Sequence, residues 1–147
     1  MSESKDQKYV NAIADLLVME RMHFKPKLDL DKKGKLIKIP TPSGENIAIK
    51  LKKAKNPLPE NPVLLFTHGD EENIEEFYFY ESYLINYGVS FCIMDFLGSG
   101  YSDGEYHTTG IRETEDCMIV INYLKENGYK KISFFGRSLG GICGIFI

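Results

Sequence analysis

Two stretches of the sequence set a serine between glycines at a spacing that chemistry can use. Gly136-Arg-Ser-Leu-Gly140 and Gly100-Tyr-Ser-Asp-Gly104 both match G-x-S-x-G. In that pattern a sharp strand-to-helix turn lifts the serine out, so its hydroxyl points away from the sheet. Small residues two before and two after it are needed because the backbone is crowded there. The chemistry served is nucleophilic attack, with an N–H at the start of the next helix facing the oxyanion that develops. Context separates the two copies. Ile132-Ser-Phe-Phe135 precedes Gly136 as a strand, and Gly141-Ile-Cys-Gly-Ile-Phe-Ile147 follows as an apolar helix. Around Ser102 the chain runs into Glu-Tyr-His-Thr-Thr instead, so the strand–turn–helix order fails. Ser138 is therefore the candidate nucleophile and Leu139 N–H a candidate oxyanion donor, with Gly136, Gly140 and Gly141 shaping the turn. The alternative for Ser138 is a helix-capping serine in an ordinary β-α turn.

A second donor is expected from the loop after the first buried strand, which ends in Phe66-Thr-His68-Gly69 and makes the Asp70 N–H the candidate. One such donor contributes about 3–4 kcal/mol of transition-state stabilisation. The loop continues Asp70-Glu71-Glu72, and a carboxylate there opposes the developing charge unless it points away. His68 reads as a structural hydrogen-bonding residue supporting the loop, and His107 as a surface-loop histidine. Asp95 and Asp103, in a glycine-rich loop, read as turn-fixing residues.

The elements that must hold these residues follow from periodicity. Asp6 to Met22 carries Val10, Ile13 and Leu17 at helical spacing. Leu36–Ile39 and the alternating stretch Ile47–Leu51, joined by Thr41-Pro-Ser-Gly-Glu45, predict a β-hairpin with one face half-buried. Strands are then expected at Val63–Thr67, Val89–Asp95 and Lys131–Phe135. Helices are expected after Asn73, with Phe77, Tyr80, Leu84 and Tyr87 as the stripe, and from about Ile111 to Asn127, with Cys117, Val120, Ile121 and Leu124. This order calls for an α/β fold with a parallel sheet.

The set Val63-Leu-Leu-Phe-Thr-His-Gly69, Asp95-Phe-Leu-Gly-Ser-Gly-Tyr-Ser-Asp-Gly104 and Gly136-Arg-Ser-Leu-Gly-Gly141 resembles the α/β-hydrolase superfamily. It is most similar to serine-aminopeptidase-like (S33-type) and lysophospholipase-like members. The resemblance covers about Val63 to Ile147 and, loosely, the hairpin. The N-terminal helix and linker over 1–34, read from periodicity, lie outside it, and the resemblance implies the N-terminal half of an α/β-hydrolase domain over 35–147. It also implies a serine hydrolase of small acyl esters or amides, working through an acyl-enzyme with no metal and no cofactor. In that family the triad runs Ser, then Asp or Glu, then His. Here His23, His68 and His107 all precede Ser138, so the base and its acid are missing from their family positions. Three readings stay open: a hydrolase C-terminally truncated at Ile147, an inactive hydrolase-derived binding or assembly protein, or a chain completed by another. Truncation would leave Lys131–Phe135 an unpaired sheet edge, from which self-association is expected.

Bulk properties narrow the partners. With 18 Lys and Arg against 21 Asp and Glu, a net charge of −3 gives no electrostatic case for nucleic acid or an anionic membrane. The lysine-rich stretch from Lys25 to Lys55 reads as a solvated hairpin face. Gly98-Ser-Gly100 is not a dinucleotide loop, since Asp103 stands where its third glycine belongs. The calcium-loop-like Asp29–Gly34 fails because Lys33 and Pro40 replace acidic ligands. Cys92, Cys117 and Cys143 lie in apolar stretches without framework spacing, which fits free thiols in a reducing compartment and a cytoplasmic address. No signal peptide or membrane span is expected.

Overall fold

Alternation of apolar residues in the first third of the chain, and of strand and helix after it, dictates the architecture. The computed structural model describes residues 19–20, 26–30 and 35–147. Its strands are β1 (Met19–Glu20), β2 (Ile37–Pro40), β3 (Asn46–Lys52), β4 (Pro62–Thr67), β5 (Ser90–Met94), β6 (Tyr106–His107) and β7 (Lys131–Gly136). Its helices are α1 (Glu81–Asn86), α2 (Ile111–Glu126) and α3 (Leu139–Phe146), with a 3₁₀ segment, Ile74–Tyr80, leading into α1.

Five strands form one mixed sheet in the order β2-β3-β5-β4-β7. The hairpin β2–β3 is antiparallel and joins β5 antiparallel, whereas β5, β4 and β7 run parallel. Register decides what this sheet can do. Thr67 of β4 lies level with Met94 of β5 and Gly136 of β7. The residues that follow, His68, Asp95 and Ser138, therefore leave the sheet at one end. Ligands of open α/β sheets bind outside the carboxyl ends of such strands.

β4 is apolar throughout because it is covered on both faces. Val63 and Leu65 join Ile47, Ile49, Cys92, Met94, Val120, Leu124 and Leu139 in one core layer. On the other face Phe66 packs with Ala48, Phe91, Ile93, Ile74 and Phe77. The α2 stripe of Cys117, Val120, Ile121 and Leu124 is buried, as its spacing predicts. No helix among the described residues is long and apolar enough to cross a membrane.

Four expectations need correction. The helix over Asp6–Met22 lies mostly outside the described residues, and Met19–Glu20 is instead a short strand paired antiparallel with Tyr106–His107. The helix after Asn73 begins as 3₁₀. Asn73 does cap it, accepting the Glu75 N–H, but with three residues per turn Ile74 and Phe77 are the buried pair. Ile85 is buried in α1, whereas Tyr80 and Tyr87 of the predicted stripe are exposed. Finally, β3 has no solvated face at its centre. Ala48 and Lys50 are buried along with Ile47 and Ile49. The Lys50 ammonium pairs with Glu81 and lies 3.1 Å from the centre of the Tyr78 ring, which compensates its burial.

Candidate active site

Ser138 stands between β7 and α3 at φ 49°, ψ −115°. That is a left-handed region where a residue other than glycine costs about 1–3 kcal/mol and persists only if its surroundings impose it. The surroundings do. The Arg137 N–H donates to Thr67 O at 3.1 Å, and the Gly140 N–H to His68 O at 3.1 Å and Arg137 O at 2.9 Å. The turn is thereby tied to the end of β4. The flanking glycines are demanded by space. A Cβ on Gly140 would sit 2.6 Å from Thr67 O and 2.8 Å from His68 O. One on Gly136 would sit 2.5 Å from Gly141 N and closer still to Gly140 O. Ser138 itself is exposed, and its side chain makes no capping hydrogen bond to α3. The capping alternative therefore lacks its defining contact. Leu139 is the first residue of α3, so its N–H has no intrahelical acceptor and is available for an oxyanion.

The loop after β4 closes over this turn. A Cβ on Gly69 would lie 3.1 Å from Glu72 Oε2 and 3.3 Å from the Cβ of Ser138, so a larger residue at 69 would press on both side chains. Asp70 follows directly. The acidic run that looks adverse in sequence is held by partners. Glu72 accepts the Gly69 N–H on Oε2 at 2.8 Å and meets Arg137 Nη2 through Oε1 at 2.5 Å. Asp70 Oδ1 lies 3.3 Å from His107 Nε2. Glu72 is thus engaged by an N–H and a guanidinium, and the Asp70 carboxylate lies beside a buried imidazole. Arg137, adjacent to Ser138 in sequence, carried no signal for this role because its partner Glu72 is remote in the chain.

The described histidines divide. Both ring nitrogens of His68 are occupied: Nδ1–H donates to Gly69 O at 2.6 Å, and Nε2 accepts the Phe96 N–H at 3.3 Å. Burial pushes this imidazole down to about 4, so it is neutral and structural at neutral pH, as its place at a strand end suggested. His107, expected on the surface, is instead buried at 3% exposure and sits in the β1–β6 ladder, its backbone paired with Met19. Neither ring is hydrogen-bonded to Ser138, and His23 lies outside the described residues.

The second serine copy serves as an internal control. Ser102 is buried, donates to Asp95 O at 2.6 Å and accepts the Ala48 N–H at 2.8 Å. It ties the glycine loop to β3. Asp95 accepts the Ile74 N–H at 2.6 Å and the Tyr101 N–H at 2.7 Å, and Asp103 accepts the Asn46 N–H at 2.9 Å. Both carboxylates fix turns.

Solved structures share this fold. Est1E from Butyrivibrio proteoclasticus, solved with ferulic acid bound, is 27% identical, with a TM-score of 0.65 over 74% of this chain and 45% of that one. An esterase from Pyrococcus furiosus is 20% identical, with a TM-score of 0.70 over 87% of this chain and 52% of its own. An α/β serine hydrolase homologue from Coxiella burnetii is 17% identical, with a TM-score of 0.60 over 76% and 55% of the two chains. The chain spans about half the length of these structures. No protein-family model and no curated protein matches its sequence. Its sheet order, the strand-to-helix turn at Ser138 and these likenesses together make the chain a relative of the α/β-hydrolase superfamily, whose fold it carries.

Proposed function

We propose that this chain supplies the nucleophile and oxyanion half of a serine hydrolase site, of serine-aminopeptidase-like or lysophospholipase-like type, that cleaves small carboxylic esters or amides. Ser138 Oγ attacks the acyl carbon and passes its proton to a histidine base oriented by an acid. The Leu139 and Asp70 N–H groups bind the oxyanion. Collapse expels the alcohol or amine, protonated by the same histidine, and water then releases the acid from the acyl-enzyme. The base and acid belong, on this reading, to residues beyond Ile147. The carrying observation is the left-handed Ser138, locked between two glycines that have no room for a side chain. A cytoplasmic setting is part of the proposal, supported by three free, buried cysteines.

The test is turnover of p-nitrophenyl butyrate and ethyl ferulate by the native gene product, the latter chosen because Est1E was solved with ferulic acid. Loss of turnover in Ser138→Ala supports the proposal, and turnover that survives unchanged refutes it. A second reading, binding or assembly without catalysis, is favoured by the lack of any described histidine on Ser138. The intact mass of the native product separates the two. A value near 16.8 kDa favours binding, and a much larger one favours the hydrolase. A trace of esterase activity does not decide, since sites lacking a triad member retain about 10³–10⁴-fold over water.

A further inference from the structure

The loop that carries the second oxyanion donor needs a device to hold it. The donor is the N–H of the peptide joining Gly69 to Asp70. A peptide next to glycine rotates at little cost, and a donor tilted away from the oxyanion loses its effect. Two contacts bracket this peptide. On the glycine side, Glu72 accepts the Gly69 N–H at 2.8 Å and reaches Arg137 beside the nucleophile. On the aspartate side, Asp70 Oδ1 lies 3.3 Å from His107 Nε2.

We propose that His107 is a positioning residue for the oxyanion loop: its contact with Asp70 fixes the Gly69–Asp70 peptide and turns the Asp70 carboxylate toward the imidazole. The inference rests on the reading of Ser138 as an acyl-transfer nucleophile. The imidazole is well placed to hold. Its backbone pairs with Met19 through the β1–β6 ladder, and the next residues are bound to the first turn of α2. There the Thr108 and Gly110 N–H groups each donate to Glu113 at 2.7 Å. A Cβ on Gly110 would touch Ile142 of α3 at 3.5 Å, so this segment also borders the helix that Ser138 begins.

The pattern of satisfaction argues that His107 is there for Asp70. His68 occupies both of its nitrogens, as buried polar groups ordinarily do. His107 Nδ1 is buried with no hydrogen-bond partner among the described residues, which carries a desolvation cost. Such a cost is retained where the other nitrogen has work to do, and Nε2 faces Asp70.

The experiment uses the native gene product with His107→Phe, which keeps ring volume and removes the donor, and His107→Gln, which keeps a side-chain N–H that can reach Asp70. Two quantities are read: the rate of Ser138 phosphonylation by a fluorophosphonate, and amide exchange at Asp70–Glu72 against α2 as reference. Expected for His107→Phe are phosphonylation slowed at least about tenfold and loop exchange accelerated at least about tenfold, with α2 protection within about twofold. His107→Gln should stay within about threefold of the parent in both. Parent-like values in His107→Phe overturn the inference, as does His107→Gln failing as badly as His107→Phe. If His107→Phe loses α2 protection, Asp70→Ala removes the same contact from the other side and should loosen the loop with α2 intact; an unchanged loop overturns the inference. A parent that is never phosphonylated contradicts the catalytic reading alone, and the exchange arm still decides the role of His107.

Discussion

Gly136→Ala probes whether crowding is what selects the glycines around Ser138. The added methyl would lie 2.5 Å from Gly141 N and nearer still to Gly140 O. Both obstacles are backbone atoms at the start of α3, so no side chain can swing aside. Gly136 is not in the left-handed region, so alanine there meets no dihedral penalty and would otherwise gain about 0.4–1 kcal/mol through the unfolded chain. Any loss is therefore steric. Overpacking costs about 1–3 kcal/mol, and contact with backbone that cannot swing aside places this case at the top, about 3 kcal/mol. At about 2–4 °C per kcal/mol for a chain of this size, Tm should fall by about 6–12 °C. Gly140→Ala, facing Thr67 O at 2.6 Å and His68 O at 2.8 Å, should cost as much. Gly141→Ala is the control. Its methyl would meet Gly136 O at 3.2 Å, and helix propensity returns about 0.5–1 kcal/mol, so Tm should stay within about 3 °C. The assay is thermal and urea unfolding by circular dichroism at matched concentration. A Gly136→Ala protein melting within about 2 °C of the parent, or a Gly141→Ala protein equally damaged, would refute the reasoning.

Strain at Ser138 predicts a trade between stability and reactivity. Ser138→Gly should stabilise the fold by about 1 kcal/mol in urea unfolding while removing the hydroxyl of the proposed nucleophile, and Ser138→Ala should not stabilise; equal stability of the two would contradict it. Two buried groups give opposed pH dependences. Burial lowers His68 from 6.5 to about 4, so it contributes stability above pH 6.5 that is lost as pH falls through about 4. Burial raises Asp116 from 3.8 to about 7, so its contribution is present below pH 3.8 and lost as pH rises through about 7. Asp116→Asn should therefore turn a shallow profile into one rising by about 3 kcal/mol from pH 4 to 6.5, and a profile left unchanged by the substitution would count against it. At the sheet edge, β7 pairs with β4 alone among the described strands, and Ile145 and Phe146 are 80% and 72% exposed beside it. Ile145→Lys with Phe146→Glu should reduce self-association in sedimentation velocity; an unchanged distribution would exclude this surface.

The parallel core was legible because burial on both faces writes itself as apolar runs. Val63–Thr67, Val89–Asp95 and Lys131–Phe135 fall within a residue of the observed strands. Contacts between distant residues were not legible. Lys50 looks solvated by alternation, yet Glu81 and Tyr78 allow its burial. His107 looks like a loop residue, yet it is buried and pairs with a two-residue strand from far upstream. The site divides the same way. G-x-S-x-G in strand–helix context marks the turn at Ser138, which the structure has, since its geometry is local. The pairing of Glu72 with Arg137 and of Asp70 with His107 depends on chain segments that meet only in the fold, so the acidic run read as adverse.

The most direct test of the central claim is site mapping after fluorophosphonate treatment of the native gene product, with peptide mass spectrometry of every serine-containing fragment. A single adduct on Ser138, absent in Ser138→Ala and never on the buried Ser102, is the predicted result. An adduct on another residue, or labelling that survives Ser138→Ala, would contradict the assignment of Ser138 as nucleophile.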